Sequence, residues 1–161
     1  MAMSIFARVG TIKGESRDAQ HKDEIEALSW SWGLSRAATP GRGGGAGIAR
    51  AGRPTFHDFT FTHRIDRASP ALMTACATGQ HIADAAISVR KAGAGQQDYL
   101  LITMKDVVVT GVSTSLSAEA DDTTEIVVLE FGKVDFEYRP QQADGKLEAG
   151  VHFVYDLKAH H

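Results

Sequence analysis

Over residues 25–35 the chain reads IEALSWSWGLS, an alternation of apolar and small side chains. As a strand, this puts Leu28, Trp30, Trp32 and Leu34 on one face and Ala27, Ser29, Ser31, Gly33 and Ser35 on the other. Two indoles so close together anchor a core, because each buries a large apolar area. The opposite face is small and uncharged, unlike the Lys133, Asp135 and Glu137 face of a later strand. Such a face suits packing against another subunit or lining a passage, and a strand beside a solvated groove has the same pattern.

Other segments show the same period of two. Residues 4–9 (SIFARV) read as a short strand, and residues 55–65 (TFHDFTFTHRI) set His57, Phe59, Phe61 and His63 opposite Asp58, Thr60, Thr62 and Arg64. Further strands are expected over 82–91, over 99–117 with a break near Thr110-Gly111, over 123–138, and over 151–158. One short helix is expected in SPALMTACATG, with Ser69 as N-cap, Pro70 in the first helical position and Gly79 as the stop. Its apolar stripe is Leu72, Met73 and Cys76. This is an all-β fold with one short helix, a barrel or sandwich. Its candidate core is Trp30, Trp32, Phe59, Phe61, Val134 and Phe136. IVVLEF at 126–131 and YLLITM at 99–104 are apolar on both faces, which calls for cover on the outside by the helix or by a neighbouring subunit.

Composition and charge narrow the classes. A chain of 161 residues with 43% hydrophobic and 23% charged residues is expected to form one globular domain spanning 1–161. A net charge of −3 argues against nucleic acid as a partner. Cys76 is the single cysteine, so no intrachain disulfide forms, and its place on the helix stripe reads as buried. The first residues lack a basic region followed by an apolar run, and no segment reaches membrane-spanning length. Membrane insertion is therefore not expected, and export would use a route without a cleaved leader.

Candidate chemistry is thin. Residues 37–54 hold Gly41, Gly43, Gly44, Gly45, Gly47 and Gly52 and read as a long loop, because glycine weakens element interiors. No βαβ unit surrounds it and no Gly-Lys-Ser/Thr follows, so neither nucleotide fingerprint is met. His57 and His63 share a strand face but stand roughly 20 Å apart, too far for one ion. His21 with Asp23 and Glu24 reads as a solvated cluster. No nucleophile elbow and no acid/base pair of carboxylates is present. No catalytic residue, cofactor or metal site is expected, and the chain does not read as an enzyme.

Several segments together carry a resemblance. They are IKGES at 12–16, HKDEIEALSWSWG at 21–33, FHDFTFTHRIDRASPALMTACATGQHI at 56–82 and VRKAG at 89–93. YLLITMKDVVVTGVSTS at 99–115 and YRPQQADG at 138–145 continue the series. In this order, over essentially the whole chain, the sequence resembles the Hcp family, the haemolysin-coregulated proteins of bacterial type VI secretion. The resemblance implies a β-barrel subunit of a hexameric ring. It further implies that rings stack into a tube inside a contractile sheath beneath a VgrG spike, leave the bacterial cytoplasm without a signal peptide, and carry small effectors in the lumen.

Two patterns then acquire candidate roles. Ser29, Ser31 and Gly33 become lumen-facing positions, with the indoles packed into the wall. Arg36, Arg42, Arg50 and Arg53 lie in a segment without acids, and Glu119, Asp121, Asp122 and Glu125 in one without bases. Opposite charges on opposite rims favour head-to-tail stacking, although two solvated loops have the same composition. The alternatives to a tube subunit are a ring-forming binding module that sequesters a small protein, and a hydrolase with a site assembled from distant residues.

Overall fold

The computed structural model describes residues 3–37, 53–91, 97–119 and 121–161. Among these the elements run β1 (Met3–Val9), β2 (Ile25–Ser31), β3 (Leu34–Ser35), β4 (Thr55–Phe56), β5 (Phe59–Arg64), α1 (Ala68–Thr78) and β6 (Ile82–Lys91). They continue through β7 (Asp98–Leu116), β8 (Thr123–Glu130), β9 (Lys133–Tyr138) and β10 (Val151–Asp156). One antiparallel sheet has the order β10-β9-β7-β6-β1-β2-β5-β8, and β8 pairs back onto β7 to close a six-stranded barrel. The fold is therefore a β-barrel with one short helix. Closure removes free edges from the six barrel strands.

A single long hairpin makes both the closure and the extension. Strands β8 and β9 run in succession along the same flank of β7, with Glu130 opposite Val108 and Lys133 opposite Lys105. The far half of β7 completes the barrel, while its near half carries the added β9–β10 pair. At the junction the Gly132 N–H donates to the carbonyls of Lys105 and Asp106 at 2.9 and 3.1 Å. Asp106 takes a left-handed φ of 54°, and a Cβ at position 132 would lie 3.1 Å from its Cβ. Glycine is what lets the two backbones meet there.

The alternating pattern explains which side chains fill the barrel. Phe59, Phe61 and His63 of β5 and Val127 and Leu129 of β8 point inward and are buried. Each large apolar side chain removed from water in this way contributes about 1.5–3 kcal/mol. Of the expected core, Phe59, Phe61 and Val134 are buried, and Trp30, Trp32 and Phe136 are partly buried against the cluster.

Four local readings need correction. The alternation over 25–35 is not one strand: β2 stops at Ser31, and Leu28 is an inserted residue. Ala27 faces His63 and Ser29 faces Thr62, so Leu28 forms a bulge and turns out to 42% exposure. A bulge shifts the phase by one, so Trp30 shares its side with Ile25 and Ala27 rather than with Leu28. The run over 55–65 is interrupted at His57 and Asp58, leaving His57 exposed. Strand β7 continues through Thr110-Gly111, absorbing the irregularity as a bulge, whereas the run over 123–138 divides at Phe131-Gly132.

The helix starts at Ala68, and its cap differs from the expected one. Asp66 Oδ1 accepts the Ala68 N–H at 2.8 Å, while the Asp66 N–H donates to Ser69 Oγ at 3.1 Å. Ser69 thus lies inside the first turn and Asp66 fills the capping role, because reciprocal bonds satisfy two otherwise orphaned N–H groups. Gly79 ends the helix as expected, with φ 64° and the Gln80 N–H donating to the Ala75 carbonyl at 3.1 Å. The buried stripe is Ala68, Leu72 and Ala75; Met73 is exposed and Cys76 only half-buried. The spacing of four and three, not the presence of the larger side chains, selects the packed face.

Candidate assembly surfaces

The surfaces that the barrel leaves uncovered are the features that point to a role. Along β2, Ser29 and Ser31 are exposed on the outer side, and Trp30 turns inward to stack on Phe59 at 5.8 Å. Trp32 lies just beyond the strand, with Phe56, Phe131 and Phe136 ring centroids at 6.3, 6.1 and 6.2 Å. Gly33 belongs to the following turn, where its carbonyl accepts the His57 N–H at 2.9 Å. The two serines thus share the open outer face of the strand, while Gly33 is half-buried and off it.

Two apolar patches remain exposed on different flanks. On the added hairpin, Val151, Phe153 and Val154 of β10 are 65%, 38% and 49% exposed. Phe153 and Tyr155 lie against Phe56, extending the aromatic cluster around Trp32 to the last strand of the sheet. On the barrel, Ile126 of β8 points outward at 44% exposure, in phase with half-buried Val128 on the same strand. The doubly apolar run IVVLEF therefore buries Val127, Leu129 and Phe131 and leaves Ile126 exposed and Val128 half-buried on its other face.

The charged segments are only partly as expected. Arg36 and Arg53 line a cleft of about 360 Å³ with Pro54, Tyr155 and His160. The Arg53 guanidinium lies 3.3 Å from the His160 Nε2. Arg42 and Arg50 lie outside the described residues. Glu119, Asp121 and Asp122 are exposed, and Asp122 pairs with Arg64 at 3.4 Å. Glu125 must be withdrawn from this group. It is fully buried and meets the equally buried His63 at 2.9 Å. The signal was present in the pattern, since Glu125 is in phase with Val127 and Leu129.

Two polar networks escaped the sequence reading. His63 Nδ1 stands 3.8 Å from Asp66, whose carboxyl is raised above its ordinary range chiefly by burial. The second network surrounds Arg90, which is 3% exposed. Its guanidinium forks onto Asp18 at 2.8 and 3.1 Å, reaches Asp98 at 3.3 Å and lies over the Phe6 ring at 5.0 Å. His21 stacks on the same ring at 4.4 Å and bridges Glu24 at 2.8 Å and Asp98 at 2.9 Å. His21 is thus buried rather than solvated, and the loop from residue 10 to 24 is tied to β6 and β7. Among the described residues no group of His, Cys, Asp and Glu is arranged to hold a metal, and no helix is long and apolar enough to cross a membrane.

Comparison with known proteins bears on these surfaces. Residues 6–138 match the family model described as "Type VI secretion system effector, Hcp". The chain is 44% identical over 151 residues to "Protein hcp1" of Pseudomonas aeruginosa, covering 93% of this chain and 91% of that one. Among solved structures, the Hcp1 crystal structure from Salmonella typhimurium is 36% identical with a TM-score of 0.77, covering 99% and 97% of the two chains. A structure described as that of a type six secretion system protein has a TM-score of 0.91 at 23% identity over 99% of both chains, a likeness of fold.

Proposed function

Because the chain belongs to the Hcp family of type VI secretion, we propose that it is a tube subunit that closes into hexameric rings, stacks head to tail and carries effectors in the bore. The observation that carries this reading is the pair of unlike apolar patches. One lies on β10 and the other, Ile126 with Val128, on the outer face of β8. Two different patches make a heterologous contact, which closes a ring when the rotation per subunit divides a full turn. Obligate interfaces of this kind are more apolar than ordinary surface.

Charge placement supports stacking. The Arg36 and Arg53 cleft lies by β3 and β4, which leads into the start of β5. Asp122 binds Arg64 at the end of β5. A strand of six residues separates those ends by roughly 20 Å, so basic and acidic groups sit toward opposite rims. The exposed Ser29 and Ser31 of β2, with Glu26 further along the same outer face, offer a small-residue stretch of wall for cargo. In this reading the ring meets a VgrG spike at one end of the tube and a contractile sheath around it. It travels from the bacterial cytoplasm outward, and small effector proteins ride inside.

Replacing Ser31 with arginine tests the cargo role. Rings seen end-on by negative-stain microscopy should persist, while co-purification of effectors falls. Unchanged loading would refute the lumen assignment, and a compact monomer at high concentration would refute the ring.

A further inference from the structure

We propose that ring closure is switched by pH through His152 on the last strand, whose imidazolium bridges two carboxylates of β9 at the sheet's free edge. The inference rests on the ring reading above, in which β10 supplies one side of the subunit contact. His152 stands opposite Glu137 in the β9–β10 register. Its Nδ1 lies 2.9 Å from Asp135 Oδ1 and its Nε2 lies 3.1 Å from Glu137 Oε2. Ionised carboxylates only accept hydrogen bonds, so both contacts are made only when both ring nitrogens carry protons.

The groups around the clamp leave this work to His152. Arg139 shares Glu137 through its other oxygen at 2.9 Å, whereas Asp135 has His152 as its ion-pair partner among the described residues. Across β9, strand β7 presents Leu101 to Glu137 and Thr103 to Asp135, neither of them titratable; Lys105 stands opposite Lys133, one step further along. On β10 itself Val154 faces Asp135 and Asp156 faces Lys133. A side chain at Gly150 would run into the Glu137 carboxylate, so the chain entering β10 presses against the same group.

The direction follows from the hydrogen bond. Asp135 raises the pKa of His152 above its ordinary value, and burial opposes this more weakly. The clamp is therefore complete below the ordinary imidazole value of about 6.5 and is lost as pH rises through the raised value. Without the second ring proton, a nitrogen lone pair faces a carboxylate, and Asp135 becomes an uncompensated charge on a strand that must shed water in the contact. Both effects oppose association. Every contact of a ring carries its own clamp, so the effect repeats at each one.

Sedimentation velocity of the full chain at fixed ionic strength, at about pH 6 and about pH 9, reads the switch in wild type, His152→Arg and His152→Phe. Circular dichroism verifies that each variant is folded. Wild-type rings should give way to smaller species at the higher pH, a shift of the sedimentation boundary toward monomer. His152→Arg, always cationic, should keep rings at both values, and His152→Phe should be weak at both. The arginine variant also separates this site from the carboxylate-bridged His21. Wild-type rings equally stable at both values overturn this inference alone, as does His152→Arg losing rings with rising pH or His152→Phe matching wild type near pH 6. A wild type that stays monomeric at both values overturns the ring reading together with it.

Discussion

Arg90 and Asp18 are 72 residues apart in sequence and share a forked ion pair in the structure. An arginine this buried is tolerated only with its charge matched, and here Asp18 and Asp98 match it beside the Phe6 ring. Replacing Arg90 with glutamine leaves those carboxylates without their cation, and chemical denaturation at neutral pH should show a lower midpoint than wild type. Asp18 adds a pH signature. Hydrogen bonding from the Gln20 N–H, with Arg90 assisting against burial, holds its carboxyl below the ordinary value. Its contribution is therefore complete above the ordinary carboxylate value and is lost as pH falls through the lowered one. Asp18→Asn should flatten that part of the acid limb in denaturation curves measured across it. None of this was legible in the sequence, where Asp18 lies in a polar, turn-rich stretch and nothing local marks its partner.

Elements were far more legible than contacts. Strand β6 spans the same residues 82–91 that the alternation predicts, and the helix stops at the predicted Gly79. Such features depend on near neighbours: side-chain periodicity for the strand, freedom to take a left-handed φ for the glycine. Gly79→Ala should therefore cost about 1 kcal/mol, seen as a lower thermal midpoint, and the loss is conformational because an added Cβ would touch nothing within 4 Å. The strand misreadings share one cause. An inserted residue at Leu28 and the breaks at His57-Asp58 and Phe131-Gly132 depend on what the opposite strand does. The pattern within one strand carries no record of its partner's register. Glu125 is the converse case, because its phase placed it inward and only its charge drew it into the exposed acidic group.

At the scale of the whole molecule, the stacking reading makes a claim about salt. Exposed charges are screened over about 8 Å at physiological ionic strength, so contacts between an Arg36–Arg53 rim and a Glu119–Asp122 rim should weaken as salt rises. Rings closed by the apolar patches should persist. Light scattering of purified rings across a salt series should show tubes shortening to single rings, and tubes indifferent to salt would refute the charge pairing. The sequence by itself determined the predominance of strands, the helix with its stop at Gly79, and the family, since periodicity, glycine placement and ordered motifs are local or linear properties. Only the tertiary structure decided that β8 and β9 share one flank of β7, that Leu28 leaves the tryptophan face, and which partners His63, Glu125 and Arg90 meet. Those outcomes follow from barrel closure, which brings distant residues together by register and burial, and neither quantity is written in any one segment.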